Sequence, residues 1–265
     1  MSVLDAKINE MKEPSASPPA LSKASPTTSA TRPTRRFYVG MGLTALGIVL
    51  VGFGPGLWNT GDRKAPLSLA VGLHAGVFTA WLLLFIAQAT LVGRGRMGIH
   101  RGLGYVGAAL AVLMIVTGYN TAIEMTRRGF DLSGDLDAAS DPFGQMVFQL
   151  GDLLSFGVLV GAGIWYRRRP EVHKRLLLLA TVGSLMGAPL AHLLSHFPAL
   201  RGTPAILVPL AMLYSALAVH DRFYRGRIHP VSLWGAIALF VWANLRAAVI
   251  GPSTPWREFA RWLAS

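Results

Sequence analysis

The sequence predicts an all-α membrane protein, seven transmembrane helices in one bundle, with the N-terminus cytoplasmic and the C-terminus outside. Three observations predict it. Apolar runs near residues 37–57, 67–93, 103–125, 144–166, 174–196, 203–222 and 230–250 are each close to the roughly 20 residues a helix needs to cross about 30 Å of hydrocarbon. Charged residues make up only 14% of the chain against 52% hydrophobic, where a soluble domain carries about 25% charged residues. Basic clusters separate the runs and end in a histidine three times over: Arg94 and Arg96 before His100, Arg167, Arg168 and Arg169 before His173, Arg225 and Arg227 before His229.

In chain order, residues 1–36 are polar and rich in Ser, Pro, Thr and Ala. They lack the apolar content for a core and read as a disordered cytoplasmic tail. The first apolar run starts at Phe37, too far along for a cleavable signal peptide, and reads as a retained anchor. All seven runs are helices, because only helices and closed barrels satisfy the backbone in lipid, and these runs are too long and uniformly apolar for barrel strands. Pro55, Pro189 and Pro209 fall inside runs, where each removes a backbone donor and predicts a local kink. The last residues, 251–265, place Trp256, Phe259, Trp262 and Leu263 on one side of a helix, which predicts an interfacial amphipathic segment.

Orientation follows from lysine and arginine. The segments at 32–36, 94–101, 167–175 and 222–227 outweigh Arg63, Lys64, Arg127, Arg128, Arg201, Arg257 and Arg261 on the other side, so the first group is cytoplasmic. Asp131, Asp135, Asp137 and Asp141 then form an acidic loop outside. The net charge of +12 belongs to these loops. It signals topology and contact with membrane lipids, not nucleic acid. The chain has no cysteine, which excludes disulfides, thiolate metal sites, covalent c-type haem and a cysteine nucleophile.

Ionisable groups inside spans are costly and mark function by default. One tier lies at the cytoplasmic helix ends: His100, His173, His220 and His229. A second lies in the outer half: His74, Asp152, His192, His196, Glu124, Asn120, Asn244 and Arg246. Two histidine tiers across a bundle suit b-type haem with paired axial imidazoles, His74 with His192 outside and His100 with His173 or His220 inside, for electron transfer across the bilayer. His192 and His196 also lie on one helical face, so that with His74 and Asp152 they form a candidate site for a divalent metal such as zinc and for hydrolysis. In the third alternative, an accessory subunit or small-solute permease, these groups only pack or line a path. Ion pairs of Arg246 with Asp152 or Glu124 would then pin helices together.

Residues 74–88 (HAGVFTAWLLLFIAQ), 100–104 (HRGLG), 168–180 (RRPEVHKRLLLLA) and 227–235 (RIHPVSLWG) resemble a family of bacterial multipass membrane proteins with no assigned activity. A looser similarity links His74, His100, His173 and His192 to cytochrome b561-like bis-haem bundles. These resemblances imply a bacterial inner-membrane protein, haem b as cofactor, and a membrane redox partner or a second copy of the chain as partner. Seven spans with histidines and an aspartate are also similar to metal-dependent hydrolases related to alkaline ceramidases, although the HxxxH pair stands in the fifth span and not the last.

Overall fold

The computed structural model describes residues 31–58, 68–129, 141–197, 199 and 203–265. It is all-α, with no strand among the described residues. The helices are α1 (Thr31–Trp58), α2 (Leu69–Gly93), α3 (Met97–Arg128), α4 (Pro142–Trp165), α5 (Pro170–Leu178), α6 (Gly187–Ser195), α7 (Thr203–Arg225), α8 (Pro230–Leu245) and α9 (Thr254–Ala264). Two π-helical segments, Leu179–Gly183 and Arg246–Ile250, continue α5 and α8. Among the described residues, seven stretches are long and apolar enough to cross a bilayer, with mean hydropathy from 1.3 to 2.1. The chain is therefore built as a multipass membrane protein.

The fifth stretch, α5 with its π segment and α6, is the axis of the bundle. It is 67% buried, against 11–33% for the other six. Around it, α1 packs on α2, α2 on α3, α3 on α4 and α4 on α5, while α6 rests on α1 and α7 pairs with α8. The core follows this axis: Leu178, Leu179, Ala180 and Met186 are fully enclosed, with Phe156, Leu82 and Leu217 from neighbouring helices. Outward faces are as apolar as the core, with Val112, Val158 and Met212 more than half exposed. Acyl chains solvate such faces as well as another helix would, so close packing and polar contacts must hold the bundle. Gly52 supplies one such contact, because a Cβ there would strike the carbonyl of Pro189. That lets α1 lie directly against α6.

The expected prolines act in two ways. Pro55 and Pro209 remain inside α1 and α7. Pro189 stands in the first turn of α6, where its missing N–H is tolerated. The fifth span is accordingly broken between Gly183 and Gly187. α1 begins at Thr31, so the end of the expected tail is helical; residues 1–30 and the acidic positions 131–137 lie outside the described residues.

Turns on the basic face are short. Gly95 (φ 74°) and Gly226 (φ 69°) take the left-handed conformation that favours glycine and close the α2–α3 and α7–α8 connections. On the opposite face Asp141 caps α4 by accepting from the Gly144 N–H at 2.9 Å, and also accepts from Arg257 of α9 at 2.8 Å. Trp256 Nε1 donates to the Phe143 carbonyl at 2.9 Å, and Arg127 donates to the carbonyls of Ala264 and Ser265. The amphipathic C-terminal helix is thus docked across the ends of α3 and α4. Its inner side buries Ala260, and Trp262 is 69% exposed.

His229 caps α8: its Nδ1 accepts from the Val231 N–H at 3.1 Å. Accepting requires an unprotonated Nδ1. Burial, followed by the Arg175 charge, holds the imidazole below its ordinary range. A depressed folded-state value means that the unfolded chain binds more protons as the pH drops. The stability is fully present above the unfolded-chain value of about 6.5 and is lost as the pH falls below it. We expect the melting temperature in detergent to drop between pH 7.5 and pH 5. His229→Asn keeps a cap acceptor, generally worth about 1 kcal/mol, and should show a smaller drop; equal drops in both proteins would assign the pH dependence elsewhere.

Candidate functional site

The candidate site lies at the basic face, where α3 and α5 begin. His100 stands in the first turn of α3 and His173 in the first turn of α5, each with its N–H bonded into the turn, to Arg96 and Arg169 respectively. Their imidazole centres are 6.4 Å apart and the rings are nearly perpendicular, at 84°. His173 Nδ1 lies 2.8 Å from the Gly163 carbonyl of α4. A carbonyl can only accept, so Nδ1 carries the proton, and Nε2 of the neutral ring keeps its lone pair. The His100 carbonyl accepts from Gln88 Nε2 of α2 at 3.2 Å, and His100 Nδ1 is buried with no hydrogen-bond partner among the described residues. Metal–nitrogen bonds of about 2 Å on both sides of one ion, plus the ring radii, set two imidazole centres roughly 6 Å apart. The pair therefore has the spacing of two ligands to one metal. The bond from a ring nitrogen to a backbone carbonyl is also how ligand imidazoles are commonly oriented.

A buried ionic clamp adjoins this pair. Arg175, with 1% of its side chain exposed, is held by the fully buried Asp221 of α7 through Nη2–Oδ1 and through Nε–Oδ2 at 3.2 Å. Its Nε also donates to Ser232 Oγ of α8 at 3.0 Å, and Nη1 to Glu171 Oε2 at 2.6 Å. Ser232 and the His229 N–H both donate to Asp221 Oδ2, at 2.5 and 3.2 Å. Glu171 is further paired with Lys174 and Arg225. Three spans and the α7–α8 turn thus meet on one carboxylate. His220 lies beside them. Its ring stacks on Phe37 of α1 at 4.0 Å and on Tyr224 at 4.9 Å, with Nδ1 4.0 Å from Asp221. Its ring lies against these aromatic rings and beside Asp221, while His173 is the ring that faces His100.

The outer tier is satisfied in separate groups. Asp152 of α4 accepts from Arg246 Nη1 at 2.7 Å, which also donates to the Phe148 carbonyl at 2.8 Å. Arg246 lies between the rings of Phe148 and Trp242, and crosses α4 over Gly151, where a Cβ would collide with its side chain. Of the two carboxylates proposed for Arg246, Asp152 is therefore the one that pairs. Glu124 pairs with Arg128 of its own helix and accepts from Ser68 at 3.2 Å. Asn244 donates to Phe240 in its own helix. His192 is fully buried against Phe53 at 4.3 Å, whereas His196 is exposed beyond the end of α6. His74 lies 6.0 Å from Phe78 on α2. Among the described residues no group of three or more His, Asp or Glu is placed to hold one metal ion.

Asp221 and Ser232 have no place among the expected site residues. Asp221 follows His220 at the end of the run 203–222, directly before the arginines of the next turn. The available signal was that Glu171 and Asp221 are the two acids in the described segments of an otherwise basic face. Comparison with protein-family models, curated proteins and solved structures gives no match to this chain.

Removing one partner of a buried pair strands a charge, at a cost of about 3–5 kcal/mol. We expect Asp221→Asn to destabilise the detergent-solubilised protein by that order. The double change Arg175→Met with Asp221→Leu should recover most of the loss. Thermal unfolding of wild type, Arg175→Met, Asp221→Leu and the double variant measures the coupling, and additive losses would show that Arg175 and Asp221 act independently.

Proposed function

We propose that this chain is a bacterial inner-membrane protein that binds one b-type haem at its basic face through His100 and His173 and takes part in one-electron transfer. The observation that carries the reading is the spacing of that pair. Two imidazoles from different helices stand 6.4 Å apart, and one is fixed in the tautomer that leaves Nε2 free to ligate. The α3 surface one turn along from His100 is also uncrowded: a Cβ at Gly104 would meet nothing within 4 Å. Such bare helix surface suits a flat macrocycle.

When bound, haem supplies reversible one-electron chemistry between its ferric and ferrous states. The chain's own residues orient the ligands. The Gly163 carbonyl accepts a hydrogen bond from His173 Nδ1, which raises the basicity of the opposite nitrogen. Gln88 holds the backbone of the turn that carries His100. The short turn before Met97 and the Arg175 clamp fix where the two helices start. This reading rests on His100 and His173 and does not require the second pair, His74 with His192.

An accessory subunit or permease without a cofactor is the second reading. It is favoured by the outer half, where Asp152, Arg246, Glu124 and Asn244 all have partners within the protein. The hydrolase reading draws less support, because the Asp152 carboxylate it needs is engaged by Arg246.

We expect the protein purified in mild detergent to show a b-type α-band in its reduced-minus-oxidised spectrum. His100→Ala and His173→Ala should each abolish or strongly shift the band, and His220→Ala should keep it. No band in the wild-type protein, or a band unchanged in both ligand variants, would remove the proposal.

A further inference from the structure

We propose that the α2–α3 and α4–α5 turns form a docking surface for the phosphate groups of anionic phospholipids. The inference goes beyond the haem reading and does not depend on it. The contact between His100 and His173 brings these two turns together. Between them they carry Arg94, Arg96, Arg101, Arg167, Arg168 and Arg169, all exposed. Neither turn contains an acid, and none of the six guanidinium groups has an acidic partner among the described residues. The nearest carboxylates are already committed: Glu171 to Lys174, Arg175 and Arg225, and Asp221 to Arg175. Pairing inside the protein therefore uses the acids of this face and leaves these six arginines without counter-charge. Guanidinium is the side chain best shaped for a phosphate, which it can grip through two parallel N–H groups.

Height above the bilayer selects lipid over a soluble acidic partner. α2 ends at Gly93 and α3 begins at Met97; α4 ends at Trp165 and α5 begins at Pro170. At about 3.5 Å per extended residue, turns this short cannot lift their arginines far from the helix ends. Aromatic residues mark the same level. Trp165 is 80% exposed and adjoins Tyr166 and Arg167. Exposed tryptophan and tyrosine at helix ends sit at headgroup depth. The arginines are thus at the plane of the phosphates, where each basic residue strengthens attraction to an anionic surface.

The test uses full-length protein in detergent, incubated with equal amounts of phosphatidylglycerol and phosphatidylcholine and read by native mass spectrometry. Wild-type protein should retain phosphatidylglycerol at least about tenfold more than phosphatidylcholine, and the preference should weaken with salt. The combined variant Arg167→Gln, Arg168→Gln, Arg169→Gln should lose most of it, whereas Arg261→Gln on the opposite face should keep it. The single variants Arg94→Gln and Arg168→Gln should each show a partial loss, which decides the matter if the triple variant does not fold. The proposal is overturned if wild-type protein does not discriminate, or if the variants in the two turns retain the preference. It is equally overturned if inorganic phosphate or polyglutamate displaces the lipid at matched charge concentration, since the surface would then serve a free anion or an acidic protein.

Discussion

A guanidinium inside the most buried span constrains the rest of this bundle. Arg175 has 1% of its side chain exposed and must remain charged, because arginine does not deprotonate in proteins. Removing such a cation from water is expensive, and the cost is offset only when a counter-charge and further hydrogen bonds surround it. The chain meets that demand with a carboxylate from α7, a hydroxyl from α8 and a carbonyl and carboxylate from its own first turn. The arrangement therefore does more than neutralise a charge. It fixes the relative positions of three spans that the hydrophobic effect cannot hold together in lipid, and it orders the α7–α8 turn through the His229 N–H.

Arg246 solves the same problem in the other half of the bundle. It pairs with Asp152, fills the space left by Gly151 and sits at the start of a π-helical segment. The second π segment begins at Leu179, one turn after Arg175. π insertions in helices concentrate at functional or strained places, and here both adjoin a buried arginine. Once these two clamps and the Glu124 contacts are accounted for, the imidazoles of His100 and His173 and the exposed arginines around them stand out as polar groups that internal ion pairing has not used.

Depth was legible in the sequence and azimuth was not. Counting apolar residues places all seven spans, puts His100, His173, His220 and His229 at one level, and puts Asp152 level with Arg246. It does not say which face of a helix a residue occupies, because rotation about the axis is set by packing. Hence His173 and His220 looked equivalent as partners for His100, although one ring faces it and the other is stacked between Phe37 and Tyr224. Each residue turns an α-helix by about 100°, so the extra residue of a π turn rotates everything beyond it by a comparable angle. His192 lies beyond Leu179–Gly183, and its packing against Phe53 could not be read from spacing. Asp221 was missed for a different reason. An acid at a helix end beside arginines is normally solvated, and only the fold shows that this end is buried, with Asp221 fully enclosed.

The same rotation explains why the clamp and the histidine pair belong together. His173 and Arg175 are two residues apart, so about 200° of helical turn separates them. They project from nearly opposite sides of α5, Arg175 toward α7 and α8 and His173 toward α3 and α4. The first turns of α5 carry both residues, so packing that fixes one side of the helix also sets the direction of the other. Anchoring Arg175 on Asp221 and Ser232 therefore aims His173 at His100, and the Gly163 carbonyl holds the ring once it is aimed.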